Sequence, residues 1–193
     1  MKTRTVLMLA LSCCAGWCGP SDPVNGSATA SPAQITVEEF TKIAAEPGDD
    51  TPLQPQLAKA GPRWTNATVT VALKYQDGRV FNEQGASVSR TVKGRYIVTT
   101  FDSQYYHQKM TAISTFDEKV SAYKTWGLFG NMISEQTSVY DFDKKIYATS
   151  GAYGDGFTEL GVGSYTDKAE TSRTLAYKNG VLYLTRDVTV TPR

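Results

Sequence analysis

Apolar and polar residues alternate most regularly just after residue 63. Ala67, Val69, Val71, Leu73 and Tyr75 occupy every second position, with Thr, Ala and Lys between them. A period of two places alternate side chains on opposite faces of a β-strand. Asp and Gly at positions 77 and 78 form a dipeptide that is common in tight hairpins. The pattern therefore predicts a strand that ends in a hairpin turn.

Nine more runs rich in β-branched and aromatic residues follow, separated by turn-forming residues and without a helical segment between them. The predicted strands are Val80–Val92, Tyr96–Phe101, Tyr105–Phe116, Val120–Leu128, Met132–Phe142, Ile146–Tyr153, Phe157–Tyr165, Ala169–Tyr177 and Val181–Thr191. Closure into a ring leaves no unpaired edge strand. We therefore predict an all-β domain over residues 63–193, an antiparallel up-and-down barrel of about ten strands. A two-sheet sandwich is the alternative, but it usually needs longer crossing connections.

The predicted strands do not have a purely apolar face. Met110, Ala112 and Phe116 share one side of their strand with Gln108 and Ser114. A partly polar interior fits a cavity better than a solid core. Within the second strand, a glycine at position 85 predicts a bulge or bend.

Residues 34–62 follow a different pattern. Thr36 is a candidate N-cap, Val37, Phe40 and Ile43 fall on one helical face, and Pro47 ends the run. This predicts one short amphipathic helix, which must dock against the barrel because it is too short to be stable alone. We place it against one end of the barrel, followed by an extended, proline-rich connector. Residues 19–33, rich in Pro, Ser, Gly and Asn, predict a flexible tether.

The first 18 residues resemble an export leader. Lys2 and Arg4 precede a short apolar run, and that run is too short to span a bilayer as a permanent helix. All three cysteines, Cys13, Cys14 and Cys18, follow this run. They are candidates for lipidation, so we predict an exported protein of the periplasm or cell envelope, either lipid-anchored or released by ordinary cleavage.

Composition excludes several classes of function for the barrel. The chain of 193 residues has a net charge of +1, so nothing indicates a nucleic-acid partner. The barrel contains no cysteine, which excludes disulfides, thiol catalysis and cysteine metal sites there. No metal or other cofactor is predicted.

A motif in the middle of the chain resembles a known family. Gly94-Arg95-Tyr96-Ile97, followed by Phe116-Asp117 and by Tyr123 and Trp126, is similar to the pattern of domain-of-unknown-function family 1579. That family comprises bacterial proteins, often exported, for which a lipocalin-like barrel is expected. The resemblance covers mainly residues 57–149 and implies a fold rather than an activity. In barrels of this kind a Trp at the first strand commonly closes the barrel, stacked by an Arg from the last strand. The resemblance therefore gives Trp64 and Arg186 this structural role.

Aromatic and sulfur-containing side chains supply the candidate lining of a semi-polar pocket. The ligand-binding candidates are Tyr96, Tyr106, Met110, Phe116, Tyr123, Trp126 and Tyr140. Packing alone could also explain their abundance, because strands are rich in aromatic residues.

Three other features are better explained by structure than by chemistry. His107 is the only histidine, and we expect a solvated strand end there, although haem ligation is an alternative. Asp141 and Asp143 could hold a proton or Ca²⁺, but they read as turn residues balanced by neighbouring lysines. The glycines from position 154 to 163 lack the Lys and the helix of a phosphate loop, so we expect turns and close packing.

The sequence therefore predicts a barrel that binds a small, fairly apolar molecule in its interior. A structural or interaction protein of the cell envelope, with a filled barrel and an exposed apolar patch, is the alternative. An enzyme is the weakest of the three hypotheses because no convergent set of catalytic groups is visible. The sequence does not determine the oligomeric state.

Overall fold

The structure, a computed structural model, describes residues 35–61, 63–104, 107–129, 132–153 and 156–193. Its ten strands are β1 (Asn66–Tyr75), β2 (Val80–Val92), β3 (Tyr96–Ser103), β4 (Gln108–Asp117), β5 (Ala122–Phe129), β6 (Met132–Asp141), β7 (Ile146–Tyr153), β8 (Phe157–Tyr165), β9 (Glu170–Lys178) and β10 (Val181–Pro192). Consecutive strands pair antiparallel, and β1 also pairs with β10, so the sheet closes. The predicted ten-stranded up-and-down barrel is confirmed.

Two short helices precede the barrel, where the sequence predicted only one. Helix α1 (Val37–Ala45) begins with a capping box in which Thr36 and Glu39 satisfy each other's backbone N–H groups. Helix α2 (Pro55–Ala60) lies inside the segment that was predicted to be an extended connector. Its six residues are too few to show a helical period, and only the proline at its first position signals its start. Among the described residues, no helix is long and apolar enough to cross a membrane.

Helix α1 packs on the outer wall of the barrel and not on its end, so the predicted docking site was wrong. Phe40 is buried against Val92, Val98 and Ile113, all on the outer side of their strands. Arg90 of β2 fixes the C-terminal end of the helix, since its guanidinium donates to the carbonyl oxygens of residues 44 and 46 at 2.5 and 3.2 Å. These contacts satisfy carbonyl groups that have no partner within the helix.

Helix α2 instead covers one end of the barrel. Leu57 is buried in a cluster with Ile97 and Tyr123. The Tyr123 hydroxyl donates to the carbonyl oxygen of residue 56 at 2.8 Å, and the backbone N–H of Gln54 donates to the carbonyl of Gly94 at 2.7 Å. We call this the capped end.

The other part of the interior holds an apolar cluster beside buried polar and charged side chains. Val71, Leu73, Phe101, Ala176 and Leu184 form its buried cluster, and we call it the packed end. Because one face of every strand points inward, side chains from β1, β3, β9 and β10 meet there.

Inward-facing glycines make room for large neighbours. Gly85 keeps a regular register opposite Val69, so there is no bulge at this position; its missing side chain leaves space for the ring of Phe101. Gly163 does the same for the ring of Tyr147, and Gly161 for the side chains of residues 149 and 174. Close packing was the expectation for these last two glycines, and it is confirmed.

Candidate binding cavity in the barrel interior

A cavity of about 140 Å³ lies inside the barrel, between helix α2 and the packed end. Leu57 and Ala60 of α2 form part of its roof, and Val69 and Val188 stand toward the packed end. A cavity of roughly 150 Å³ is large enough for a molecule the size of benzene. The barrel interior is therefore neither completely packed with side chains nor occupied by a wide channel.

The wall of the cavity carries a band of hydroxyl groups. Its hydroxyl-bearing residues, apart from tyrosines, are Ser87, Ser89, Thr99, Ser114, Thr125, Ser138 and Ser172. Some of these hydroxyls pair across strands, as in the contacts Ser89–Thr99 and Ser114–Thr125, both 2.9 Å. A hydroxyl that is already paired still has a lone pair that can accept a hydrogen bond. The same wall also contains the apolar residues Ala67, Ala112, Val69 and Val188. The wall suits a ligand with an apolar body and at least one polar group.

An arginine and a glutamate lie together at the capped end of the cavity. The Arg63 guanidinium stacks over the ring of Tyr165, with its carbon 3.3 Å from the ring centroid. Arg63 Nε is 3.4 Å from Glu170 Oε2, and the other carboxylate oxygen of Glu170 accepts a 2.6 Å hydrogen bond from the Tyr147 hydroxyl. The Nε and Nη2 groups of Arg63 are buried and have no hydrogen-bond acceptor. The guanidinium is therefore held in place, and these two donors are enclosed by protein without an acceptor.

A second Arg–Glu pair lies deeper in the barrel and is fully enclosed. Arg186 Nη2 donates to both carboxylate oxygens of Glu159, at 2.9 and 3.0 Å, and both side chains are only 2% exposed. Gln136 donates to the same carboxylate and also to the hydroxyl of Tyr153 at 3.0 Å. The donors around Glu159 compensate for its removal from water.

Enclosure shifts the ionisation of this network. Burial opposes the charge of Arg186, but the Glu159 carboxylate and the Tyr153 hydroxyl outweigh that effect, so the pKa of Arg186 lies above its ordinary value. Burial raises the pKa of Tyr153 well above its ordinary value, and the negative charge of Glu159 adds to the rise. Arg186 therefore stays charged and Tyr153 stays neutral at physiological pH.

The structure brings only some of the seven ligand-binding candidates to the cavity. Tyr123 and Tyr140 lie on its wall. Phe116 packs on Tyr123 in the cluster around α2, with ring centroids 4.9 Å apart, and Met110 is buried opposite Phe101 toward the packed end.

Two candidates were placed on the wrong face. Tyr96 and Trp126 belong to the outer cluster beneath α1, because they alternate with the inward-facing Ile97 and Thr125. The Trp126 indole donates to Glu135 on that outer face at 3.0 Å. Tyr106 lies outside the described residues, as do the lipidation candidates Cys13, Cys14 and Cys18.

The predicted stacking of Arg186 on Trp64 is also wrong. Trp64 precedes the first residue of β1 by two positions and lines the capped end of the cavity, whereas Arg186 pairs with Leu73 near the far end of that strand. At about 3.3 Å per residue, the two lie more than 20 Å apart along the strand. The cation that stacks at the capped end is Arg63, which sequence reasoning missed. Its position directly beside Trp64 was the available signal.

The remaining candidates behave as turn or surface residues. His107 is exposed in the turn before β4 and has a positive φ of 51°. Asp141 pairs with Lys144 at 2.7 Å within its turn, and hydrogen bonds from Lys144 hold the pKa of Asp141 below its ordinary value. In the part of the chain that the structure describes, no group of three or more His, Cys, Asp or Glu side chains is arranged to hold a metal ion.

The outer wall opposite α1 carries exposed apolar side chains. Val139, Ile146, Leu160 and Val162 are 44–61% exposed, and Val139 and Val162 flank Ala148 in one row across three strands. Such a patch is one of the two features expected of an interaction protein. The other, a filled interior, differs from the cavity found here.

The fold and site define a closed, ten-stranded antiparallel β-barrel with a capped internal cavity. No protein-family model matches this chain, and no curated protein is significantly similar to it. The likeness to family 1579 stays a prediction from the sequence.

Proposed function

We propose that this protein is a small-molecule binding protein that holds its ligand in the capped cavity of the barrel. The observation that carries the proposal is the cavity itself, about 140 Å³ in volume and lined by both apolar side chains and hydroxyl groups. Protein interiors are normally close-packed, so a space of this size costs stability unless a ligand or ordered water occupies it.

The size and the wall of the cavity limit the class of ligand. A molecule of about six to nine non-hydrogen atoms fits the volume, by comparison with the roughly 150 Å³ that accommodates benzene. Apolar contacts from Val69, Ile97 and Val188 suit its body, and the hydroxyls of Ser87, Ser114 and Ser138 suit a polar substituent. Long lipids exceed the space.

The proposal includes export, and this part rests on the sequence alone. The charged and apolar leader with its three cysteines supports delivery to the periplasm or the cell envelope. A carrier or sensor of a small molecule in that compartment is consistent with the likeness to family 1579.

Benzamide is a suitable neutral probe, because it has an aromatic body and one polar group. We expect saturable binding to the full chain, measured by calorimetry and by NMR shifts of residues on the cavity wall. Ala112→Leu adds three carbon atoms to the wall and should weaken binding by at least about tenfold. Native mass spectrometry of gently purified protein should reveal any ligand that it retains.

Ala152→Leu is the matched control, because Ala152 is exposed on the outer face of β7. It should leave benzamide binding unchanged. Ser114→Leu repeats the test from a second wall position if Ala112→Leu folds poorly. Absence of saturable binding to the unmodified protein would contradict the proposal. Equal benzamide affinity of Ala112→Leu and Ala152→Leu would also contradict it.

A further inference from the structure

Two serines on the cavity wall carry hydroxyl groups that the described protein leaves without a partner. Ser87 and Ser172 are 5% and 8% exposed, and neither hydroxyl makes a hydrogen bond with any described residue. Both residues line the cavity, and neither hydroxyl is among the polar atoms that the protein encloses completely. The two hydroxyls therefore border the cavity, where a ligand can reach them. A buried hydroxyl without a partner destabilises the folded state, and a ligand that bonds to it removes this cost.

The two serines flank an apolar strip of the wall. Ser87 of β2 pairs with Ala67 of β1, and Ser172 of β9 pairs with Val188 of β10. Strands β1 and β10 are neighbours, so their inward side chains lie between the two serines. The strip consists of Ala67, Val69, Val188 and Val190. A ligand whose apolar body lies on this strip can reach a serine with a polar group at its edge.

Aromatic rings form the capped side of the same cavity. Trp64, Tyr123, Tyr140 and Tyr147 belong to its lining. The rings of Tyr123 and Tyr140 meet edge to face with centroids 4.8 Å apart, and the centroids of Tyr140 and Tyr147 are 5.6 Å apart. Aromatic pairs gain affinity beyond the area that they bury. A ligand with an aromatic ring therefore suits this side better than a saturated one.

The cavity offers a ligand hydrogen bonds rather than a net charge. Arg63 and Glu170 are the only charged residues of its lining, and they form an ion pair at 3.4 Å. A ligand hydroxyl can accept a hydrogen bond from Ser87 or Ser172 and donate one to a wall hydroxyl that is already paired. A ketone or an ether can only accept. The wall therefore favours a neutral ligand with a hydroxyl group.

We infer that the cavity binds phenols, meaning small neutral aromatic molecules with a hydroxyl group, and that Ser87 and Ser172 select the hydroxyl. This inference rests on the proposed function, and it adds the chemical class of the ligand and the residues that select it. Phenol itself has about seven non-hydrogen atoms, one more than benzene, and is within the size that the cavity accepts.

Phenol and toluene test the inference, because they have the same number of non-hydrogen atoms and differ in the hydroxyl. Toluene leaves water more readily, so a purely apolar cavity would prefer it. We expect the full chain to bind phenol at least as tightly as toluene at pH 7, as measured by calorimetry. Cyclohexanol, which keeps the hydroxyl without the aromatic ring, should bind at least about threefold more weakly than phenol.

The double variant Ser87→Ala/Ser172→Ala tests the two serines. It should weaken phenol binding by at least about fivefold, because the hydrogen-bonding partners are lost. Toluene affinity should stay within about twofold, because toluene makes no hydrogen bond to either serine. Ser150→Ala is the matched control, since Ser150 is exposed on the outer face of β7 and outside the cavity wall. It should leave both affinities unchanged.

Three results would overturn the inference while leaving the proposed function intact. They are tighter binding of toluene than of phenol, a phenol affinity that the double variant leaves unchanged, and equal affinity for phenol and cyclohexanol. Failure of phenol, toluene and benzamide to bind would overturn both the inference and the proposed function. The comparison of phenol with toluene in the unmodified protein decides the matter even if the double variant folds poorly.

Discussion

The barrel interior contains two Arg–Glu pairs in contrasting surroundings. Arg186 and Glu159, beside the packed end, are 2% exposed and joined by two hydrogen bonds. Arg63 and Glu170, at the capped end, are 18% and 15% exposed and meet at 3.4 Å without hydrogen-bond geometry. The same two residue types therefore meet in different ways: the first pair is fully enclosed and hydrogen-bonded, and the second is a looser ion pair on the wall of the cavity.

The largest expected effect follows from breaking the enclosed pair. Arg186→Met leaves Glu159 buried without its cation and should lower the free energy of unfolding by about 3–5 kcal/mol. Arg63→Met should lower it by no more than about 1 kcal/mol, because only the stack on Tyr165 and a loose ion pair are lost. Urea unfolding with an unchanged slope on denaturant would measure both.

The double variant Arg186→Met/Glu159→Leu is the control for this prediction. It should recover much of the lost stability, because no unpaired charge stays buried. Equal costs for Arg186→Met and Arg63→Met would show that enclosure does not make the two pairs energetically different.

A smaller effect is expected from weakening the cap. Leu57 is 1% exposed in the cluster of α2, so Leu57→Ala should cost about 2–4 kcal/mol. Because α2 covers the cavity, the same change should also speed the dissociation of benzamide, as measured by NMR line shapes. Leu184→Ala, at the packed end, should cost a similar amount and leave that rate unchanged. If Leu57→Ala and Leu184→Ala changed the dissociation rate equally, α2 would not control access to the cavity.

The smallest effect concerns pH and the enclosed network. The folded protein holds Tyr153 neutral, whereas in the unfolded chain it ionises near its ordinary pKa of 10.0. The unfolded state therefore binds fewer protons above pH 10, and the free energy of unfolding should fall as pH rises beyond that value.

Tyr153→Phe should make this decline shallower above pH 10 and leave the slope unchanged between pH 7 and 9. Urea unfolding at a series of pH values would measure the slopes. Identical slopes above pH 10 in the two proteins would show that the ionisation of Tyr153 contributes nothing to the alkaline loss of stability.

Strand positions and closure were predictable, because they depend on local pattern. Alternation in β1 and turn residues such as Asn179-Gly180, both with positive φ, define the strands within a few residues of their ends. Closure of the sheet is then favoured, because the backbone N–H and C=O groups of an edge strand would otherwise lack partners. Helix α1 was found through its cap and period for the same local reason.

Local pattern did not predict which face of the sheet each side chain occupies, nor which charged residues form pairs. Trp126 and Thr125 are neighbours in sequence, and only the position of α1 on the outer wall explains why the indole is half-buried outside the barrel. Arg63 and Glu170 are far apart in the chain, and they meet because β10 lies between β1 and β9. Such contacts depend on the register of strands that are distant in sequence.

The pairing of β1 with β10 has a consequence for the connectivity of the molecule. The backbone N–H of Arg193 donates to the carbonyl oxygen of Asn66, so the final strand finishes beside the point where the first one starts. In a variant without residues 1–65, a short peptide could join these two points, and new termini could be opened at the exposed Asn179-Gly180 turn. The sheet would still close, so strands synthesised in a different order would form the same barrel.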